Sequence, residues 1–381
     1  MITTLFIALV TLYAVILALR ATLAMGYIRR SAAAPTMPEN EAGVTVLQPI
    51  LGGDPRLAAC LAENLRNAPR ARFVWLLDED DANGRAAAAG ALRESGRGDV
   101  RQLFTGPPPP HLNPKVFKLL RGSEAVATHW LAVLDDDTVL PPGTLGRAMA
   151  MAQPDCLVTA LPVYRARLTP WSRLVTGFVN GNAVLTYPPM AWLGASRTIN
   201  GMFVVMRRAD LASRDGFAPI LAHVTDDYAL ARLFLDRRGC IVQTCLWHPI
   251  ETTVTGAGAY FRLMRRWMVF GRIYALENRD PATLLLVVLP GLLPLPLICL
   301  GALLGPGALA LALVLLALKA GAAWWLTARL CGEAAPRGDL AYMVAADILL
   351  PIHMVAALIR PRRIRWRGRE LRLRGSRIAR R

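Results

Sequence analysis

Residues 43–250 predict an α/β fold with a mostly parallel sheet, set between apolar regions of membrane character. Three observations carry that reading. Short apolar runs alternate with helix-length segments, the pattern of βαβ units. Acidic clusters follow the apolar runs, as in Phe73–Leu77 before Asp78-Glu79-Asp80-Asp81 and Trp130–Leu134 before Asp135-Asp136-Asp137. Long uncharged stretches lie towards both ends with arginines beside them, although the 381-residue chain is 54% hydrophobic and carries a net charge of +17.

Residues 2–24 are nearly all apolar, with Arg20 the one charge, and Arg29-Arg30 follow. That length fits one bilayer span, so residues 1–30 are expected to be a retained anchor. The arginine pair then places the next domain in the cytoplasm. Residues 31–42 read as a linker.

Seven strands are expected at Val44–Leu47, Phe73–Leu77, Val100–Phe104, Trp130–Leu134, Leu157–Val163, Met202–Met206 and Ile241–Trp247. Each is a short apolar run bounded by turn residues. Helices are expected at Pro55–Asn67, Gly84–Glu94, Lys115–Ala127 and Pro142–Ala152. Residues 171–193 read as a buried helix or as one touching the membrane surface. Residues 257–280 interleave Arg262, Arg265, Arg266, Arg272 and Arg279 with Tyr260, Phe261, Trp267 and Phe270, which suggests an amphipathic interfacial helix.

Residues 281–359 form the C-terminal membrane region. No charge occurs from Pro281 to Leu318, too long a run for one span, and Gly305-Pro306-Gly307 breaks it into a hairpin. Lys319 reads as a near-end lysine that snorkels or has no function. Residues 340–359, interrupted by Asp347, Pro351 and His353, are the weakest span. Residues 360–381 hold 11 arginines. Three full spans after the catalytic domain would put those arginines outside, against the positive-inside rule. One C-terminal segment is therefore expected to be interfacial or re-entrant.

Six scattered cysteines without a CxxC predict no disulfide framework and a reduced compartment. Five scattered histidines give no zinc spacing. The basic charge comes with no nucleic-acid motif, so no nucleic-acid partner is expected.

Strand-end carboxylates on a parallel sheet gather at its carboxyl edge, where open α/β folds bind ligands. Two of them separated by one residue, as Asp135 and Asp137 are, suit Mg²⁺ or Mn²⁺ beside a diphosphate, although acidic turns are also common without ligands. Asp227 alone reads first as a helix cap; Lys115 also reads as an ordinary lysine at a helix start, and Trp267 equally as an interfacial anchor. Asp80 and Asp81 read as a solvated turn.

The order of motifs resembles the membrane-bound, inverting GT-A glycosyltransferases, and among them the ceramide glucosyltransferase family. Its three Asp motifs are similar to Leu77–Asp81, Leu134–Asp137 and Thr225–Tyr228, and its (Q/R)xxRW motif to Arg265-Arg266-Trp267. The lipid branch is marked by Leu47–Pro55, by Leu112-Asn113-Pro114-Lys115, by Asn200–Arg207, and by the tail motif Ile364–Gly368. Three features depart from the pattern: Leu263 stands where Gln or Arg is expected, Gln48 where the first loop usually has Lys, and the second motif has three carboxylates where the ceramide branch often keeps fewer.

The resemblance implies a GT-A, Rossmann-like domain over 43–256. It implies Pro49 and Asp78 beside the base and ribose of a UDP-sugar, and Lys115 as positive charge near the donor. Asp135 and Asp137 would face the sugar and the metal. Asp227 would be the general base, and Arg266 and Trp267 would close over diphosphate and acceptor. The expected reaction is inverting transfer to a hydroxyl of a membrane lipid, first of all ceramide. Hopanoid or other lipid acceptors, polysaccharide synthesis and a non-catalytic scaffold are the alternatives. The Ala-, Arg- and Gly-rich composition suggests a bacterial inner-membrane protein with a cytosolic catalytic domain.

Overall fold

The computed structural model describes residues 1–32, 40–359, 363–366 and 369–379. Most of the 31–42 linker, the end of the 364–368 motif and the arginines at 360, 362, 367, 380 and 381 lie outside the described residues. The chain divides into two compact units. One comprises Met1–Ala33, Val163–Ser196 and Val254–Glu370; the other comprises Ala34–Pro162, Arg197–Thr253 and Leu371–Arg381.

The chain opens with α1 (Ile2–Ala32), a single apolar helix ending on Arg29 and Arg30. The second unit then begins with β1 (Val44–Pro49), α2 (Leu57–Asn67), β2 (Arg72–Asp78), α3 (Ala82–Ser95), β3 (Arg101–Thr105), α4 (Pro114–Ser123), β4 (Trp130–Leu134) and α5 (Thr144–Ala150). After β5 (Cys156–Tyr164) come α6 (Pro170–Asn182) and α7 (Tyr187–Trp192) of the first unit. The sheet unit resumes with β6 (Phe203–Arg207), α8 (Arg208–Ala212), α9 (Asp226–Leu235) and β7 (Cys240–Ile250).

All seven expected strands form one sheet in the order β3-β2-β1-β4-β6-β5-β7. β1 pairs in parallel with β2 and β4, and β2 with β3. β6 runs antiparallel to both β4 and β5. The fold is thus α/β and mostly parallel, as the alternation predicted. β1 and β4 are buried along their whole length; β4 accordingly reads as a continuous apolar run, and β1 as one interrupted by the buried Thr45 and Gln48. Trp75, Phe73, Leu61 and Leu65 fill one face of the sheet, and Leu76, Met206, Phe217 and Phe234 the other.

The disulfide expectation is corrected at one place. Cys156 and Cys240 stand at the starts of adjacent strands β5 and β7, with Cα atoms 4.5 Å apart, and are bonded. Eighty-four residues separate them, so spacing gave no sign of the pair.

In the first unit, α10 (Ala257–Glu277) is the expected basic aromatic helix. The uncharged run then forms α11 (Pro281–Thr283), a widened turn over Leu284–Val288, α12 (Leu289–Leu292) and α13 (Pro294–Leu304). Pro290 and Pro294, each without an N–H, fit the break in this helix, which bends by 44°. α14 (Pro306–Cys331) follows the Gly305 break, and α15 (Asp339–Leu358) is continuous despite Pro351. Among the described residues three helices, α1, α14 and α15, are long and apolar enough to cross a membrane, and the bent pair makes a fourth if it counts as one span. The interruption expected in 340–359 is therefore a bend in 281–304 instead.

Lys319 also differs from expectation. It does not snorkel: its Nζ donates to both Asp347 carboxylate oxygens at 2.7 and 2.9 Å and to Asn182 Oδ1 at 3.0 Å, with both charged side chains 3% exposed. A charge in an apolar bundle needs such a partner. Arg20 likewise donates to Leu185 O and Thr186 Oγ1. Residues 171–193 form α6 and α7, and α6 packs so tightly on α15 that a Cβ on Gly177 would stand 2.5 Å from Tyr342 O.

The chain ends with β8 (Arg363–Trp366), β9 (Arg369–Arg374) and β10 (Arg377–Ile378). β9 and β10 form an antiparallel hairpin turned at Gly375, whose φ of 64° favours glycine.

Candidate active site

The parallel strands bring their carboxyl ends to one edge of the sheet. Pro49 closes β1 and is buried, Asp78 closes β2, and Asp135-Asp136-Asp137 follow β4. Because β6 runs the other way, Gly201 and Met202 enter at the same edge, and Asp135 N donates to Met202 O at 2.8 Å. Gln48, the residue that departs from the family's Lys, is fully buried. It accepts from Trp75 Nε1 at 2.9 Å and donates to Asp135 O at 3.3 Å, tying β1 to the acidic turn.

Helix α4 supplies the cations. Asn113 caps it, accepting from Lys115 N and Val116 N, and Pro114 takes the first position, where a missing N–H costs nothing. This explains the Asn-Pro-Lys order. Lys115 Nζ lies 2.7 Å from Asp135 Oδ1, 3.0 Å from Asp226 Oδ2 and 2.9 Å from Gly201 O. Burial alone depresses its pKa, but Asp135 and Asp226 outweigh that and raise it, so the ammonium is held charged.

Lys118 was not anticipated from sequence. It is 1% exposed, its Nζ 2.7 Å from Asp78 Oδ2 and 2.8 Å from Ile50 O. The signal was present, since positions 115 and 118 are three apart on one helix and share a face.

Helix α9 supplies the last acids. Thr225 precedes it, and Asp226 and Asp227 occupy its first turn. Asp227 Oδ1 accepts from Tyr228 N at 2.7 Å. Its pKa is pushed up to about 7, mainly by burial and then by Asp226, with Tyr228 N–H and Lys115 opposing. Gly201 is why it fits: a Cβ there would stand 3.2 Å from Asp227 Cβ. A cavity of about 20 Å³, enough for one water, lies among Lys115, Gly201, Asp226, Asp227, Phe217 and Leu230.

Asp137 accepts from Thr138 and Thr252 hydroxyls. Its pKa is raised to about 6, by burial first and by Asp135 second, against those two hydrogen bonds. Among the described residues no group of three or more His, Cys, Asp and Glu is arranged to hold a metal. Asp81, expected in a solvated turn, instead accepts from Gly52 N and Gly84 N and caps α3. Asp80 is exposed. Arg266 and Trp267 lie on α10 in the first unit, where Trp267 packs on Tyr164 and Phe178 at 6.2 and 5.8 Å between ring centroids.

The sheet unit thus brings Pro49, Asp78, Lys115, Asp135, Asp137 and Asp227 to one edge, and adds Lys118, Asp226 and Gly201. A model of glycosyl transferase family 21 matches residues 3–379. No curated protein matches. Solved structures similar to the chain include a mannosyltransferase from Pyrobaculum calidifontis in complex with GDP-Man and Mn²⁺, at 17% identity, covering 91% of this chain and 99% of that one, with a TM-score of 0.49. GalNAc-T7 with UDP, GalNAc and Mn²⁺ is similar at 11% identity, over 64% of this chain and 52% of that one, with a TM-score of 0.41. Glucosyl-3-phosphoglycerate synthase from Mycobacterium tuberculosis, in complex with Mn²⁺, UDP and phosphoglyceric acid, is similar at 12% identity over 64% and 81%, with a TM-score of 0.36. Likenesses this distant carry no functional information about the chain. The family match does: the chain belongs to glycosyltransferase family 21, and it is a glycosyltransferase.

Proposed function

We propose that this family 21 glycosyltransferase moves a sugar from a UDP-sugar, with inversion, to the hydroxyl of a membrane lipid, ceramide being the leading acceptor. The observation that carries the reading is Asp227: a carboxyl group at the sheet's ligand edge, pushed up to about 7 and set beside a charged lysine. A general base works best with a pKa near the operating pH.

In the reaction Asp227 takes the proton of the acceptor hydroxyl. The oxygen then bonds to the anomeric carbon from the face opposite UDP, and the bond from that carbon to the diphosphate breaks. Asp226 keeps the Asp227 proton affinity high. Lys115 keeps positive charge beside Asp135, on the side where the departing diphosphate gains negative charge. Lys118 fixes Asp78 for the donor's base and ribose, with Pro49 beside it.

Asp135 and Asp137 fit a divalent cation in one respect. Asp137 is a buried carboxyl group beside Asp135, its pKa raised to about 6 by burial first and by Asp135 second, so a cation held between the two would relieve that repulsion. Two carboxylates are too few on their own, so the donor diphosphate must complete the shell. Mg²⁺ or Mn²⁺ bound there supplies charge neutralisation to the leaving group. Arg266 and Trp267 are assigned to closure over diphosphate and acceptor. The long apolar helices and the basic α10 support a lipid acceptor reached at the surface of a bacterial inner membrane, with the sheet unit in the cytosol.

The test is turnover by purified protein with a panel of UDP-sugars against ceramide and hopanoid lipids. Product on ceramide, abolished by Asp227→Asn and by metal chelation, is the expected result. Product only on another lipid keeps the mechanism and changes the acceptor. Metal- and lipid-independent behaviour with every donor overturns the reading.

A further inference from the structure

The C-terminal hairpin is bonded to the segment that carries the base. Residues 371–379 belong to the sheet unit. Val224 N donates to Ser376 O at 2.9 Å, and Ile378 N donates to Ala222 O at 2.8 Å. His223 and Arg377 form an antiparallel bridge between these bonds, and Arg377 Nε donates to His223 Nε2 at 3.3 Å. The hairpin is anchored rather than laid on the surface: Leu371, Leu373 and Ile378 are buried, and Ala379 N donates back to Arg372 O.

A second clamp holds the same segment. Asn113 N donates to Leu221 O at 2.7 Å, and Asn113 Nδ2 donates to His223 O at 2.9 Å. The same side chain caps α4 and so fixes the backbone of Lys115. Residues 221–224 are therefore held by the lysine helix and by the tail together. Thr225 comes next, and then Asp226 and Asp227.

We propose that the C-terminal hairpin is a positioning element for the Asp226–Asp227 pair. Its main chain completes the bonding of residues 222–224, so that α9 begins where its first-turn carboxylates meet Lys115 and Gly201. This rests on Asp227 as the general base. Without the hairpin, Val224 N–H and Ala222 C=O lose their bonds to it, and a backbone segment short of partners opens more readily. Displacement of a reacting group by about 1 Å costs about 100-fold in rate.

The test uses the enzyme in nanodiscs beside two variants: one ending at Glu370, and Ile378→Pro, which removes the N–H bonded to Ala222 O together with the buried Ile378 side chain. Two readouts run together, kcat against donor KM, and backbone hydrogen exchange over residues 221–230. We expect kcat to fall about tenfold or more with donor KM little changed. Exchange over 221–230 rises in both variants, and a synthetic 369–381 peptide restores rate to the shortened enzyme. Unchanged kcat in the shortened enzyme, or unchanged exchange over 221–230, overturns the proposal. If Asp227→Asn is as active as wild type, the general-base reading fails, and exchange alone still decides whether the hairpin holds the segment.

Discussion

Gly201→Ala tests the site at its tightest point. A methyl group there would lie 3.2 Å from Asp227 Cβ and 3.6 Å from Asp227 Oδ2, so Asp227 must give way by a few tenths of an ångström. The Lys115 bond to Gly201 O uses main chain and survives the substitution. The perturbation therefore falls on the base and spares the lysine. If about 1 Å of misplacement costs about 100-fold, then about 0.3 Å costs about 0.8 kcal/mol, or about fourfold in kcat. Donor KM is expected to stay at the wild-type value, and stability to fall by about 1–3 kcal/mol. Initial-rate kinetics at saturating acceptor, with a melting curve on the same preparation, gives all three quantities. An unchanged kcat in a protein whose Asp227→Asn variant is inactive would show that the contact does not position the base.

Other expectations follow from the same geometry. Asp227 acts only when ionised, so log kcat/KM should rise with unit slope as pH approaches about 7 and level above it; a flat profile from pH 5 to 8 counts against Asp227. Lys118→Met removes the cation paired with Asp78 at 2.7 Å, so donor KM should rise severalfold while kcat changes less; the reverse split in steady-state kinetics would remove Lys118 from donor binding. Lys319→Met breaks a pair in which both side chains are 3% exposed and should destabilise by about 3–5 kcal/mol, whereas Lys319→Met with Asp347→Leu should recover most of the loss. Thermal unfolding in detergent distinguishes the two.

What could be read in the sequence was whatever depends on neighbours along the chain. β1, β2 and β4 were visible because strands buried on both faces are mostly apolar, and Asp78 and Asp135 stood out as the first charges after such strands. Asn113-Pro114-Lys115 was visible through the family resemblance, and the structure supplies its local reason, the cap of α4. Lys118 shares a helix face with Lys115, which the sequence does show, but its partners Ile50 and Asp78 reach it only through the sheet. The Cys156–Cys240 bond and the Lys319–Asp347 pair were hidden for the same reason: each joins elements far apart in sequence. The tail was misread by composition. Its arginines suggested only charge, yet the alternation in Leu371-Arg372-Leu373-Arg374 is the period of a strand with one buried side.

The hairpin also limits how the chain is threaded. The polypeptide leaves the sheet unit after Thr253 and rejoins it at Leu371. A path that starts and finishes on one side of a bilayer crosses it an even number of times. Three apolar stretches lie in that interval: the bent pair at 281–304, α14 and α15. If these stretches enter a bilayer, an odd number of crossings would separate residues 371–379 from the rest of the sheet unit, so we predict that at least one of them enters and returns or lies along the surface. A reporter fused after Arg381 is then expected to be protected or cleaved together with one inserted in the sheet unit.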